Sequence, residues 1–208
     1  TALRELVAKA LVNKGFRLGQ MNRNEDEIAV YDEVVKRYGE APETALRELV
    51  AKALVNKGIR LGQMNRNEDA IAVYDEVVNR YGDAPEAVLR EQVAMALNGK
   101  GFRLLCRAKQ CWSDGAARRA DMLAAAALFE RAVNDHPDKP IVWGNQAYAA
   151  FLHDQSEAAR PLLRQTLQQG GERLYQGTLS DLKIHPVPPD EAYRAMLDEL
   201  WAEVKPQS

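Results

Sequence analysis

TALRELVAKALVNKGFRLGQMNRNEDEIAVYDEVVKRYGEAPE, residues 1–43, returns as residues 44–86 with four changes: Phe16/Ile59, Glu27/Ala70, Lys36/Asn79 and Glu40/Asp83. A diverged third copy opens at Ala87 with AVLREQVAMALNGKGFRL. A fixed period in the range of about 20–50 residues marks an array of small units, each burying its apolar face against its neighbours. The functional expectation therefore moves from an active site to a binding surface.

Each unit holds two helical patterns. In the first, Leu3, Leu6, Val7, Ala10, Leu11 and Leu18 form one apolar stripe on a 3.6-residue period. The second runs through Ile28, Tyr31, Val34, Val35 and Tyr38. Between them, Asn24 reads as an N-cap and Glu27 as its capping-box partner. Glu25 and Asp26 suit the positive end of the helix dipole, and Lys36 and Arg37 the negative end. Gly39 is expected in the left-handed position that ends a helix. The next helix is expected to start near Pro42, and Asp83-Ala84-Pro85-Glu86 has capping-box spacing in the second unit.

These residues resemble the tetratricopeptide repeat, whose pattern is W-x2-L-G-x2-Y, then A-x3-F, then P. Unit one supplies Leu11, Gly15, Leu18 and Tyr31, and unit two Leu54, Gly58, Leu61, Ala70 and Tyr74. Unit three supplies Leu97, Gly101, Leu104, Ala125, Phe129 and Pro137. A shorter unit four fits Trp143, Ala147, Ala150, Ala159 and Leu163. The period is 43 residues, against about 34 in the family. Lys14 and Lys57 replace the usual Leu before the Gly, and Glu27 occupies a small-residue position, which suggests an exposed unit or a missing neighbour. The resemblance implies an all-α, right-handed superhelical solenoid with a concave groove. It does not identify a ligand.

The expected divisions are 1–43, 44–86, 87–139 with an insertion, 140–172, and a Pro-containing strap with a capping helix over 173–208. Twelve inserted residues in unit three fall around Cys106–Met122. A break is expected at Ser113-Asp114-Gly115, and a turn at 135–140. Gly170-Gly171 is expected to end unit four. The last helix, about 190–204, carries Tyr193, Met196, Leu197, Leu200 and Trp201 on one stripe, as a terminal unit covering the array's apolar end would.

Hydrophobic residues make up 46% of the 208 and charged residues 28%, enough for a continuous core. A net charge of −2, with both signs interleaved, does not point to nucleic acid. No apolar run nears the roughly 18 residues of a membrane span. Two cysteines make no disulfide framework, so a reducing, cytoplasmic setting is expected. The chain opens at Thr1 inside the repeat pattern, which reads as a piece of a longer array.

Cys106, Cys111, His136, His153 and His185 lack the paired short spacing of a zinc site, so no metal or cofactor is expected. No nucleophile–base order or phosphate loop is present, and no catalytic residue is assigned. Trp112 reads either as an exposed contact or as packed under the following helix. The resemblance implies a groove lined from the first helix of each unit: Lys9, Val12, Asn13, Phe16 and Gln20, repeated as Lys52, Val55, Asn56, Ile59 and Gln63. In co-chaperone members of the family a Lys–Asn–Arg set grips a peptide's terminal carboxylate. Lys9/Asn13 and Lys52/Asn56 resemble part of that clamp, while Met95 and Gly99 break it in unit three. The expected function is a non-catalytic scaffold for a protein or peptide, with acidic partners preferred. The alternatives are a structural spacer of variable repeat number and a regulatory arm of a larger enzyme.

Overall fold

The computed structural model describes residues 2–205, and these hold nine α-helices and no strand. They are α1 (Ala2–Gln20), α2 (Asn24–Tyr38), α3 (Thr44–Gln63), α4 (Asn67–Tyr81), α5 (Ala87–Gln110), α6 (Gly115–Asp135), α7 (Pro140–Leu152), α8 (Ser156–Leu182) and α9 (Pro189–Val204). The chain divides into two compact units between Arg103 and Leu104.

In the first unit, α1 packs on α2 and α3 on α4, while α3 also packs on α1 and α2. Gly15 and Gly58 let the helices of each pair close on an aromatic ring. A Cβ on Gly15 would lie 2.5 Å from Cε1 of Tyr31, and a Cβ on Gly58 the same distance from Cε1 of Tyr74. Both tyrosines are buried in the core with Val34, Leu54, Leu61 and Val77.

The helix ends differ from the sequence reading. Gly39 has φ −58°, an ordinary right-handed conformation, and its N–H bonds Val35 O. The left-handed residue is Asn22 at φ 57°, repeated by Asn65 at φ 59°. Arg23 N–H donates to Leu18 O and Asn22 N–H to Gly19 O, both at 3.0 Å. That is the Schellman pattern, for which Asn is the usual substitute when Gly is absent. Asn24 does not cap α2: its side-chain oxygen is buried without a partner among the described residues, and Arg23 holds the N-cap position. Helix α3 starts at Thr44 and α5 at Ala87, so Pro42 and Asp83 both lie in the preceding links.

In the second unit, Asp114 caps α6 by accepting from Ala116 N and Ala117 N, both at 3.1 Å, at the expected break. Helix α7 packs on α6 and α8, and α9 on α8 and α7. Helix α8 is two helical pieces meeting at Gly171, whose φ of 58° and ψ of −154° favour a residue without Cβ. Residues 173–182, read as part of the strap and capping segment, are therefore helical, and the non-helical link is confined to 183–188. Tyr193, Met196, Leu197 and Leu200 of α9 are buried. Trp201 departs from that stripe: it is half-buried and stacks on Tyr175 with centroids 5.1 Å apart.

A buried polar cluster fastens α9 to the rest of this unit. Asp190 accepts from Lys109 Nζ at 3.1 Å, from Val187 N at 2.9 Å and from the Tyr148 hydroxyl. Lys109, Asp190 and Tyr148 are all buried. An unpaired charge in such a place is strongly unfavourable, so each partner needs the other.

Candidate functional site

Lys9, Asn13, Phe16 and Gln20 lie on α1, and Lys52, Asn56, Ile59 and Gln63 on α3. Their spacing of four, three and four residues aligns each set along one helix stripe. Because α1 and α3 are packed together, the two stripes are neighbours in the first unit. Phe16 is 54% exposed and Ile59 41%. Lys9, Lys52, Gln20 and Gln63 are also exposed. Neither Lys9 nor Lys52 makes an ion pair among the described residues, while Gln20 accepts from Arg17 Nη1 at 3.0 Å.

Two of the expected groove positions do not reach the surface: Val12 and Val55 are buried in the core. They sit about 60° around the helix from the Lys9 stripe, toward the second helix of the pair. Asn13 and Asn56 also diverge. Asn13 is exposed, whereas Asn56 is half-buried. Gly99 takes that position in the third copy, where a Cβ would run into the Tyr74 ring.

Glu27 is neither a cap nor exposed. It is only 4% exposed, accepts from the Tyr31 hydroxyl at 3.1 Å, and pairs with the Arg60 guanidinium. Gly19 leaves the room: a Cβ there would collide with both Arg60 and Glu27. Burial, then the Glu27 carboxylate, hold the Tyr31 phenol above its ordinary range. In the next unit Ala70 replaces Glu27, and the equivalent arginine, Arg103, donates to Gly62 O at 3.0 Å. There burial alone pushes Tyr74 up to about 12 against the opposing charge of Arg103. A second contact recurs at the same spacing: Lys57 Nζ lies 2.5 Å from Asp32, and Lys100 Nζ 2.5 Å from Asp75.

Trp112 is half-buried. The Arg118 guanidinium stands 4.4 Å from its ring centroid, and Arg118 Nη1 donates to its carbonyl at 2.7 Å. They border a cleft of about 380 Å³ with Met122, Leu152 and His153. A second cleft in this unit, about 550 Å³, lies beside the strap between Gln176 and Arg194. The Lys109–Asp190 contact joins residues far apart in the chain and was not legible beforehand, whereas Trp112 meets Arg118 only six residues on.

Among the described residues, no group of three or more His, Cys, Asp or Glu is placed to hold a metal ion. Cys106 is buried and Cys111 exposed, and neither is in a disulfide. No helix among these residues is long and apolar enough to cross a membrane. What the α1/α3 surface offers chemically is ammonium and amide donors beside two apolar side chains. No protein-family model matches the chain, and a search of curated proteins returns no match.

Proposed function

We propose that the protein is a non-catalytic scaffold of the tetratricopeptide type, a right-handed solenoid that binds an acidic peptide segment along the α1/α3 surface. The observation that carries this reading is the pair of stripes on adjacent helices, each with an exposed lysine about two turns from an exposed apolar residue. Packed helices lie about 8–10 Å apart, so Lys9 and Lys52 act within about one Debye length of each other. Their combined field steers an anionic segment and holds a carboxylate by charge-assisted hydrogen bonds. Phe16 and Ile59 supply apolar contact. The setting is cytoplasmic, in keeping with two cysteines that form no disulfide.

Binding of a fluorescent acidic peptide library to the full chain tests this. Affinity is expected to fall as salt rises, and Lys9→Ala with Lys52→Ala is expected to weaken it and flatten the salt dependence. Unchanged affinity across the series would leave the lysines as mere surface charge. A spacer role is a second reading. Its support is the recurrence of the Lys57–Asp32 contact as Lys100–Asp75, because a junction that repeats allows units to be added or lost. The spacer would bind none of the peptides.

A further inference from the structure

The cleft of about 380 Å³ in the second unit joins an apolar lining to positive charge that the chain leaves unmatched. Met122 and Leu152 in that lining are buried, Trp112 is half-buried, and Leu123 is 57% exposed. Arg118 is pinned there. Its guanidinium stands 4.4 Å from the Trp112 ring centroid, and its Nη1 donates to the Trp112 carbonyl at 2.7 Å. Neither contact neutralises its charge, and it makes no ion pair among the described residues. Arg119 is exposed and makes none either. The nearby carboxylates are used elsewhere: Asp114 caps α6, and Asp121 pairs with Arg107 at 2.6 Å. Asp154 remains at the cleft, exposed and without an ion pair. His153 lines it too, and its Nε2 is shut off from solvent with no hydrogen-bond partner among the described residues. An orphaned nitrogen of this kind calls for a partner that the chain does not supply.

We infer that this cleft is a binding site for a small organic acid, a single carboxylate on a compact apolar body. Arg118 and Arg119 hold the carboxylate, because the planar guanidinium fork matches its two oxygens. Arg118 is already fixed by Trp112, so little of its freedom is lost on binding. The apolar body lies against Met122, Leu123 and Leu152. Two guanidiniums set against Asp154 leave an excess of one positive charge. That suits a monoanion better than a phosphate monoester, which carries about −1.5 to −2 at neutral pH. The volume lies at the lower end of the range for small-molecule sites, about 300–1,000 Å³, and so favours a small molecule over a length of peptide. All these residues belong to the second unit, so the inference stands apart from the α1/α3 peptide-binding reading.

The test is titration of the full chain with hydrocinnamate, followed by NMR shifts of the Trp112 indole N–H and the Arg119 side chain. Saturable shifts are expected, with a Kd below about 1 mM. Acetate has the charge without the apolar body, and hydrocinnamamide the body without the charge. Each should bind at least about tenfold more weakly. Arg119→Gln should weaken hydrocinnamate by about three- to tenfold. Asp154→Asn should strengthen it by about twofold, since a repelling charge is removed, and Asn suits the left-handed backbone at that position, φ 59°. Both substitutions fall on exposed residues without ion pairs, so the fold is retained, and helical circular dichroism checks that it is. The comparison of acid with amide needs no variant at all. An absence of saturable shifts overturns the inference. So does equal affinity for acid and amide, or an Arg119→Gln variant that binds hydrocinnamate as the parent chain does.

Discussion

Arg60 of α3 pairs with the buried carboxylate of Glu27 in α2, across the junction between the first two units. The two ends of this pair are not equivalent. Removing Arg60 leaves a carboxylate that is almost wholly out of water. Removing Glu27 leaves a guanidinium that is partly solvated and has a nearby carbonyl to bond, as Arg103 does with Gly62. Arg60→Ala should therefore destabilise by about 3 kcal/mol and Glu27→Ala by about 1 kcal/mol. Urea unfolding of both single variants and the double measures the coupling. Equal costs for the two single changes would contradict this asymmetry.

Gly58→Ala should destabilise, although alanine is the better helix former by about 1 kcal/mol. Its Cβ would stand 2.5 Å from the Tyr74 ring, which is itself fully packed. Overpacking of this kind costs about 1–3 kcal/mol, so the steric effect outweighs the gain. A thermal melt of Gly58→Ala above that of the parent chain would show that Tyr74 can move.

Asp190→Ala should cost about 3–5 kcal/mol, because it strands Lys109 in the interior. Replacing both together, with Lys109→Met and Asp190→Leu, should recover much of that loss. Recovery will be incomplete, since the Tyr148 hydroxyl and Val187 N–H lose their acceptor. Denaturant titration of the three variants checks this. A double variant no more stable than Asp190→Ala would mean that the acceptor role outweighs the charge.

Alkaline pH should unfold the protein through its tyrosines. Burial raises the phenols of Tyr31, Tyr148 and Tyr193 above their ordinary range and Tyr74 to about 12. The unfolded chain releases these protons near pH 10, while the folded chain keeps them. Their contribution to stability is thus complete below about pH 10 and declines as pH rises through the folded values, by up to about 1.4 kcal/mol per pH unit for each group. Stability measured from pH 8 to 12 should be level at first and then fall. Tyrosinate absorbance from these four groups should appear together with the loss of helical circular dichroism. Their full ionisation in a still-helical protein would refute it.

Much of the fold was legible because its causes are local. Apolar side chains at 3.6-residue spacing define α1 to α4, and Asp114 marks the start of α6 by its own side-chain bonds. Local rules failed at the helix ends. Gly39 closes α2 in a right-handed conformation, and the left-handed residue is Asn22 at the end of α1, where the carbonyls of Leu18 and Gly19 are closed. Of the expected surface residues, Lys9, Asn13, Phe16, Gln20, Lys52, Ile59 and Gln63 are exposed, and helix periodicity is enough to align each set along its own helix.

By itself the sequence determined that this protein is helical, that its first two units share one local structure, and which side chains share each helix stripe. These follow from hydrogen bonds and contacts closed within a turn or two. Only the tertiary structure decided what those residues mean. Leu3 and Leu46 occupy the same place in the same pattern, yet one is exposed and the other buried. Glu27 suits a cap and becomes half of an internal ion pair. Lys109 and Asp190 meet across 81 residues of chain. The physical reason is the same each time: desolvation and pairing depend on which helix lies alongside, and no short stretch of sequence carries that information.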